Sequence, residues 1–159
     1  MVVKKIKVLI VDDHPVFREG LCRVISEQED MEVSGQAGDA EESLKLAREL
    51  APDVAIIDIA LPGLDGIELA KQLKTMLASI GILMLSAYGY EGYVLSSLRV
   101  GAAGYLFKDT CPREIVNAVR SIHAGEAVFQ LKSISPVLRR LSSDHPVDTD
   151  SLPQLAKRE

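Results

Sequence analysis

Short apolar runs alternate along this chain with longer stretches in which apolar residues recur every three or four positions. Four of the runs, residues 6–11, 54–57, 82–85 and 105–107, end in residues of distinct chemistry. The first leads into Asp12 and Asp13, the second into Asp58, the third into Ser86 and the fourth into Lys108. Runs of this length, bounded by turn residues and alternating with helical periodicity, predict buried parallel strands. Parallel strands share one carboxyl edge, and open α/β sheets bind their ligands there. Three carboxylates, a hydroxyl and an ammonium are therefore expected to converge on one pocket suited to a divalent metal and a phosphoryl group.

The intervening segments complete the pattern. Pro15 suits a first helical turn, and Phe17, Leu21, Val24 and Ile25 then form one stripe. Residues 31–37 predict a second strand, less apolar than the others and so expected near a sheet edge. A second helix begins at Gly38-Asp39, turns Ala40, Leu44, Ala47 and Leu50 inward, and stops before Pro52. A third strand over 53–58 precedes a turn-rich loop over 59–66, and the next helix buries Ile67, Ala70, Leu73 and Leu77. A fourth strand over 80–86 is followed by a helix carrying Val94, Leu95 and Leu98, closed by Gly101. The fifth strand covers 104–108. The last helix runs from Pro112 to a stop at Gly125, burying Ile115, Val119 and Ile122, with Cys111 as a weak N-cap. Five β-α repeats with right-handed crossovers predict an α/β fold, a three-layer, doubly wound, five-stranded parallel sheet. The domain is expected over 1–127, followed by a short helix over 133–141 and a polar linker over 142–153.

Composition narrows the function classes. With 159 residues, 47% hydrophobic, and a mean hydropathy of +0.13, the chain predicts one globular domain plus a tail. No apolar stretch reaches the roughly 18 residues of a membrane span, and the amino-terminal run ends too soon in acids to be a signal peptide. A net charge of −5 argues against nucleic-acid binding through bulk electrostatics. Cys22 and Cys111 form no CxxC pair, so a cytoplasmic setting is expected. The three histidines are scattered, and no zinc site is expected from them. Phosphate-binding glycine loops and a G-x-S-x-G elbow are absent from the sequence.

Each candidate residue also has a plain structural role. Asp13 can cap the helix at Pro15, Asp58 can open an Asx turn, Ser86 can end a strand and Lys108 can be a solvated charge. Taken singly these alternatives compete well; jointly, at the ends of four parallel strands, they do not. Clustered carboxylates repel and call for a cation, and Mg²⁺ is the hard cation that suits oxygen ligands. A carboxylate there can act as a nucleophile and form an aspartyl-phosphate. Lys and Ser supply a mobile positive charge and a short donor for phosphoryl oxygens. Phosphoryl transfer needs little beyond such positioning and neutralisation.

The segments IKVLIVDDHPVFREGL, DVAIIDIALPGLDGIEL, ILMLSA and GAAGYLFKD, in this order and spacing, resemble the receiver domain of two-component response regulators. The resemblance covers about residues 5–125 and implies a flavodoxin-like, CheY-like fold. DDHPVFREGL and SAYGYEGYVLSSLRVGAAGYLFKDT are similar to the LuxR/FixJ-type (NarL-like) subfamily, whose members carry a C-terminal helix-turn-helix. By that resemblance Asp58 is the phospho-acceptor, Asp13 a direct Mg²⁺ ligand, Asp12 a ligand through water, and the Ala60 carbonyl the last protein ligand. Ser86 and Lys108 would contact the phosphoryl oxygens, and Tyr105 occupies an aromatic switch position that plain core packing would explain equally. Ala60 and Tyr88 would flank the phosphate, with Tyr88 restricting the hydrolytic water. Asp109 follows Lys108 where many receivers have Pro, which leaves the conformation of that peptide bond open. The resemblance further implies a sensor histidine kinase as phosphodonor, a homodimer on phosphorylation, no membrane association, and no enzymatic activity beyond self-phosphorylation and autodephosphorylation. Leu155-Ala156-Lys157-Arg158-Glu159 is similar to the L-T-x-R-E opening of the output module except at Ala156. A truncated regulator is therefore expected, with DNA bound only through the missing C-terminal domain. Two rival readings remain: a Mg²⁺-dependent phosphohydrolase of the haloacid dehalogenase type, which wants D-x-D where this chain has Asp12-Asp13-His14, and an interaction module that never takes phosphate.

Overall fold

The computed structural model describes residues 4–87, 91–130 and 139. Strands β1 (Ile6–Val11), β2 (Met31–Ala37), β3 (Val54–Asp58), β4 (Gly81–Ser86) and β5 (Gly104–Phe107) alternate with helices. These are α1 (Pro15–Ser26), α2 (Ala40–Leu50), α3 (Gly66–Met76), α4 (Glu91–Arg99) and α5 (Pro112–His123). All five expected strands and all five expected helices are present, and the strands begin and end within one residue of their expected bounds. A two-residue strand β6 (Val128–Phe129) follows α5, and the strands lie in the order β2-β1-β3-β4-β5-β6. Every adjacent pair is parallel.

Among the described residues the sheet thus has six strands where five were expected. Two residues are too few to show periodicity, and the physical reason for the pairing lies in the partner strand. Val128 stands opposite Gly104, and a Cβ on Gly104 would come within 2.9 Å of the Val128 carbonyl oxygen. The missing side chain lets the two backbones approach. The folded unit therefore continues past Ala127. The short helix and linker expected beyond it lie outside the described residues, apart from Arg139.

Alternation along the strands builds two cores. On β1, Leu9 and Val11 face one side with α2, α3 and α4, while Val8 and Ile10 face the other with α1 and α5. This is the expected three-layer arrangement. β2 lies at the edge, as its half-polar sequence anticipated. β3 starts one residue later than expected, at Val54, and the Asp53 carboxylate accepts a hydrogen bond from the Lys7 amide at 2.9 Å. Asp39 and Asp65 cap α2 and α3 by accepting from the amides of Glu42 and Glu68. Cys111 makes no side-chain cap, as its chemistry predicts. Among the described residues no helix is long and apolar enough to cross a membrane.

Candidate functional site

The topology brings the chemistry-bearing residues to one edge. β1 and β3 are neighbours with Val11 opposite Ile57, so Asp12 and Asp58 leave the sheet side by side. Ser86 ends β4, and Lys108 follows β5, whose Phe107 stands opposite Ser86. Lys108 Nζ lies 2.7 Å from Asp12 Oδ2 and 3.1 Å from Asp58 Oδ2, and 4.7 Å from the centre of the Phe17 ring. Both acids are buried, with relative exposures of 2% for Asp12 and 3% for Asp58. The Ala60 amide donates to Asp58 Oδ1 at 3.2 Å. His14, Phe17, Asp58, Ala60, Ala87 and Lys108 help line an open cavity of about 460 Å³.

Burial pushes the Asp58 carboxyl above the ordinary carboxylate range, and the neighbouring Asp12 charge adds to the shift. Lys108 and the Ala60 amide pull the other way without cancelling it. Asp58 Oδ2 is buried against the Lys108 ammonium at 3.1 Å, and Asp13 Oδ1 is buried with His14 Nδ1 at 3.2 Å. One ammonium leaves three clustered carboxylates with excess negative charge, and a hard divalent cation fits such a set of oxygens. Carboxylate oxygens of Asp12, Asp13 and Asp58 and a ring nitrogen of His14 all lie within 4.8 Å of one another.

Ser86 is fully buried at the end of β4. Tyr105, also fully buried, belongs to the core on the α2–α4 side and is hydrogen-bonded to Ser86. Burial pushes its phenol up to about 12. Tyr105 also meets Phe107 edge-on, with ring centres 6.1 Å apart. Core packing and a hydrogen bond to Ser86 are therefore both present at this position. No described peptide bond is cis, so the Lys108–Asp109 bond is trans. Tyr88 lies outside the described residues.

Three residues of the site were not anticipated. His14 Nδ1 lies 3.0 Å from Asp12 Oδ1, 3.2 Å from Asp13 Oδ1, 3.8 Å from Asp58 Oδ2 and 3.4 Å from Lys108 Nζ. No zinc site was expected from the histidines and cysteines; His14 stands instead beside three carboxylates, and the signal was a His directly after two strand-end acids. Arg18 donates to the Asp12 carbonyl at 2.7 Å and pins the loop. Phe17, read as a core residue, instead also faces Lys108.

Residues 8–120 match the response regulator receiver domain family. The chain belongs to that family. This receiver domain is 41% identical over 145 residues to the uncharacterized transcriptional regulatory protein YxjL of Bacillus subtilis, covering 89% of this chain and 66% of YxjL. It is 37% identical over 149 residues to the transcriptional regulatory protein LiaR of the same organism, covering 92% of this chain and 71% of LiaR. Its fold superposes with a TM-score of 0.74 on the signal receiver domain of the putative response regulator NarL from Mycobacterium tuberculosis, at 37% identity. That match covers 77% of this chain and 99% of the other. The chain spans about two thirds of the length of YxjL. The expected CheY-like fold and NarL-type kinship both hold. The family's role is a phospho-aspartate switch rather than that of a classical enzyme, which removes the phosphohydrolase reading.

Proposed function

We propose that Asp58 is the acceptor of this switch and that Mg²⁺ occupies the acidic pocket. The observation that carries the reading is a carboxylate 3% exposed, with an ammonium 3.1 Å from its Oδ2 and two further carboxylates grouped beside it. Asp13, Asp58 and the Ala60 carbonyl would hold the ion, with Asp12 acting through a water. When bound, the ion neutralises the charge of the incoming phosphoryl group. Asp58 attacks phosphorus through a carboxylate oxygen, and the bond from phosphorus to the donor's leaving group breaks. Lys108 and Ser86 then hold the phosphoryl oxygens, and Tyr105 follows the movement of Ser86. The reaction is self-phosphorylation and its hydrolytic reversal, with no further enzymatic activity.

The donor is the phosphohistidine of a sensor kinase, and the setting is cytoplasmic. The receiver unit of 1–127, extended by β6, passes through a short helix and linker to a DNA-binding output module, as the names of YxjL and LiaR as transcriptional regulatory proteins suggest. Phosphorylation favours a homodimer and so controls that module. Intact-mass measurement after acetyl phosphate with Mg²⁺ tests the central claim. One added phosphoryl mass, lost with EDTA or in Asp58→Asn, is the expected result. Equal labelling of Asp58→Asn would move the acceptor, and no labelling at all would favour the pure interaction module.

A further inference from the structure

We infer that Gln130 is a positioning residue for Lys108, its side-chain amide bracing both ends of the turn that carries the lysine. The inference rests on reading Asp58 as the acceptor and Lys108 as the cation that holds its phosphoryl group.

The need for a brace follows from the backbone. Lys108 and Asp109 are the central residues of a turn closed by the Thr110 amide, which donates to the Phe107 carbonyl at 3.0 Å. The Lys108 amide donates to the Ser86 carbonyl of β4 at 2.9 Å. The Phe107 amide before it therefore points to the other side of β5, toward β6. The β5–β6 ladder stops at Tyr105 and Phe129, short of Phe107. A backbone donor beyond the end of a ladder calls for another acceptor.

Gln130 supplies it. The Phe107 amide donates to Gln130 Oε1 at 3.4 Å, and Gln130 Nε2 donates to Thr110 Oγ1 at 3.0 Å. Chemistry fixes this orientation of the side-chain amide, since a backbone N–H only donates and must face the oxygen. One side chain thus spans the turn from the residue before Lys108 to Thr110. Thr110 is buried, and Cys111 gives α5 no side-chain cap. The start of α5 is tied through Thr110 to Gln130 rather than by a cap of its own.

The brace reaches the chemistry through Lys108, whose Nζ stands 2.7 Å from Asp12 Oδ2 and 3.1 Å from Asp58 Oδ2. A lysine ammonium is a point charge on a flexible stem, so its placement depends on how firmly its backbone is held. Phosphoryl transfer draws most of its rate from such placement. If Gln130 only covered the edge of β5, its loss would lower stability and leave Nζ where it is.

The full chain is compared as wild type, Gln130→Met, Gln130→Glu and Thr110→Val. Intact mass reads the rate of Asp58 labelling by saturating acetyl phosphate with Mg²⁺. The Lys108 ¹⁵Nζ resonance, recorded in EDTA, reads the surroundings of the ammonium without any labelling. Gln130→Met keeps the length of the side chain and removes both hydrogen bonds. Its maximal labelling rate should fall about 10-fold or more, toward the about 10²-fold that a misplacement of about 1 Å costs, and its Nζ resonance should shift. Gln130→Glu should recover both readouts, because one carboxylate oxygen can accept from the Phe107 amide and the other from the Thr110 hydroxyl. Thr110→Val removes one end of the brace and should show smaller changes of the same kind, which keeps the test decisive if Gln130→Met folds poorly. A wild-type labelling rate or an unmoved Nζ resonance in Gln130→Met would overturn the inference, as would a Gln130→Glu protein no faster than Gln130→Met. If wild type takes no label while Nζ still shifts in Gln130→Met, the brace on Lys108 stands and the phospho-acceptor reading alone fails.

Discussion

Lys108 holds its ammonium 3.1 Å from Asp58 Oδ2, across the width of β4. The same nitrogen lies 2.7 Å from Asp12 Oδ2, so one cation serves two buried carboxylates. Removing it leaves both uncompensated. Lys108→Met should lower stability at pH 7, without divalent ions, toward the lower end of the about 3–5 kcal/mol typical of a broken buried pair. Added Mg²⁺ should recover part of the loss. Urea unfolding with and without Mg²⁺ checks both points, and an unchanged midpoint in the metal-free variant would refute them.

Asp58 carries a raised carboxyl in the folded state, chiefly through burial and then through Asp12. Between its unfolded value of about 3.9 and the higher folded one, the native state binds more protons than the unfolded state. Its contribution to stability is therefore complete below the unfolded value and is lost as pH rises through the folded one. Asp58→Asn removes that penalty. In EDTA the variant should melt above wild type at pH 7, by about 2–4 °C for each kcal/mol relieved. The advantage should shrink toward pH 4. Parallel melting curves of equal separation at both pH values would argue that Asp58 is not strained by its charge.

Much of this site was legible because strand-end positions are set by patterning. Once the runs ending at Asp12, Asp58 and Lys108 were read as parallel strands, the meeting of these three side chains followed from topology. The edge position of β2 was readable from its polar residues. What escaped depended on side-chain direction or on very short elements. His14 precedes α1, and nothing in its spacing told which way its ring turns. β6 forms because Gly104 admits a close backbone, a property of the partner strand rather than of Val128 and Phe129.

Asp13 and Asp12 divide the metal-binding work unequally. Asp12 is already engaged by Lys108 and by the His14 amide, while Asp13 Oδ1 accepts nothing. Asp13→Ala should therefore weaken Mg²⁺ binding more than Asp12→Ala. Either change also relieves repulsion within the pocket. Calorimetric titration of the two variants decides the order, and a greater loss in Asp12→Ala would transfer the direct ligand to Asp12.

Gly66 opens α3 directly against the backbone of the acceptor. A Cβ there would sit 2.3 Å from the Asp58 carbonyl oxygen and 2.8 Å from Ile59 Cα. Both obstacles are main chain, so relief requires β3 and α3 to part. Gly66→Ala should cost at least the about 1–3 kcal/mol of core overpacking and slow acetyl phosphate labelling of Asp58. Chemical denaturation and labelling kinetics measured together test this, and wild-type values in both would show that the loop yields freely.

Ser86 and Tyr105 distinguish a switch from a filler. Their side chains are hydrogen-bonded inside a buried region, with Met84 opposite Tyr105 and Ser86 two residues further along β4. Tyr105→Phe keeps the ring and its edge contact with Phe107, so the static cost should be near the about 0.5–1.5 kcal/mol of one hydrogen bond. Ser86→Ala should cost a similar amount, and the double variant less than the sum, because both delete one interaction. If Ser86 moves to the phosphoryl group, that coupling must differ between unphosphorylated and acetyl phosphate-treated protein, since a ligand-like event acts only through its differential effect on two states. The double-mutant cycle is therefore measured in both states by thermal unfolding. A coupling that changes on phosphorylation supports the switch; the same coupling in both would reduce Tyr105 to core packing.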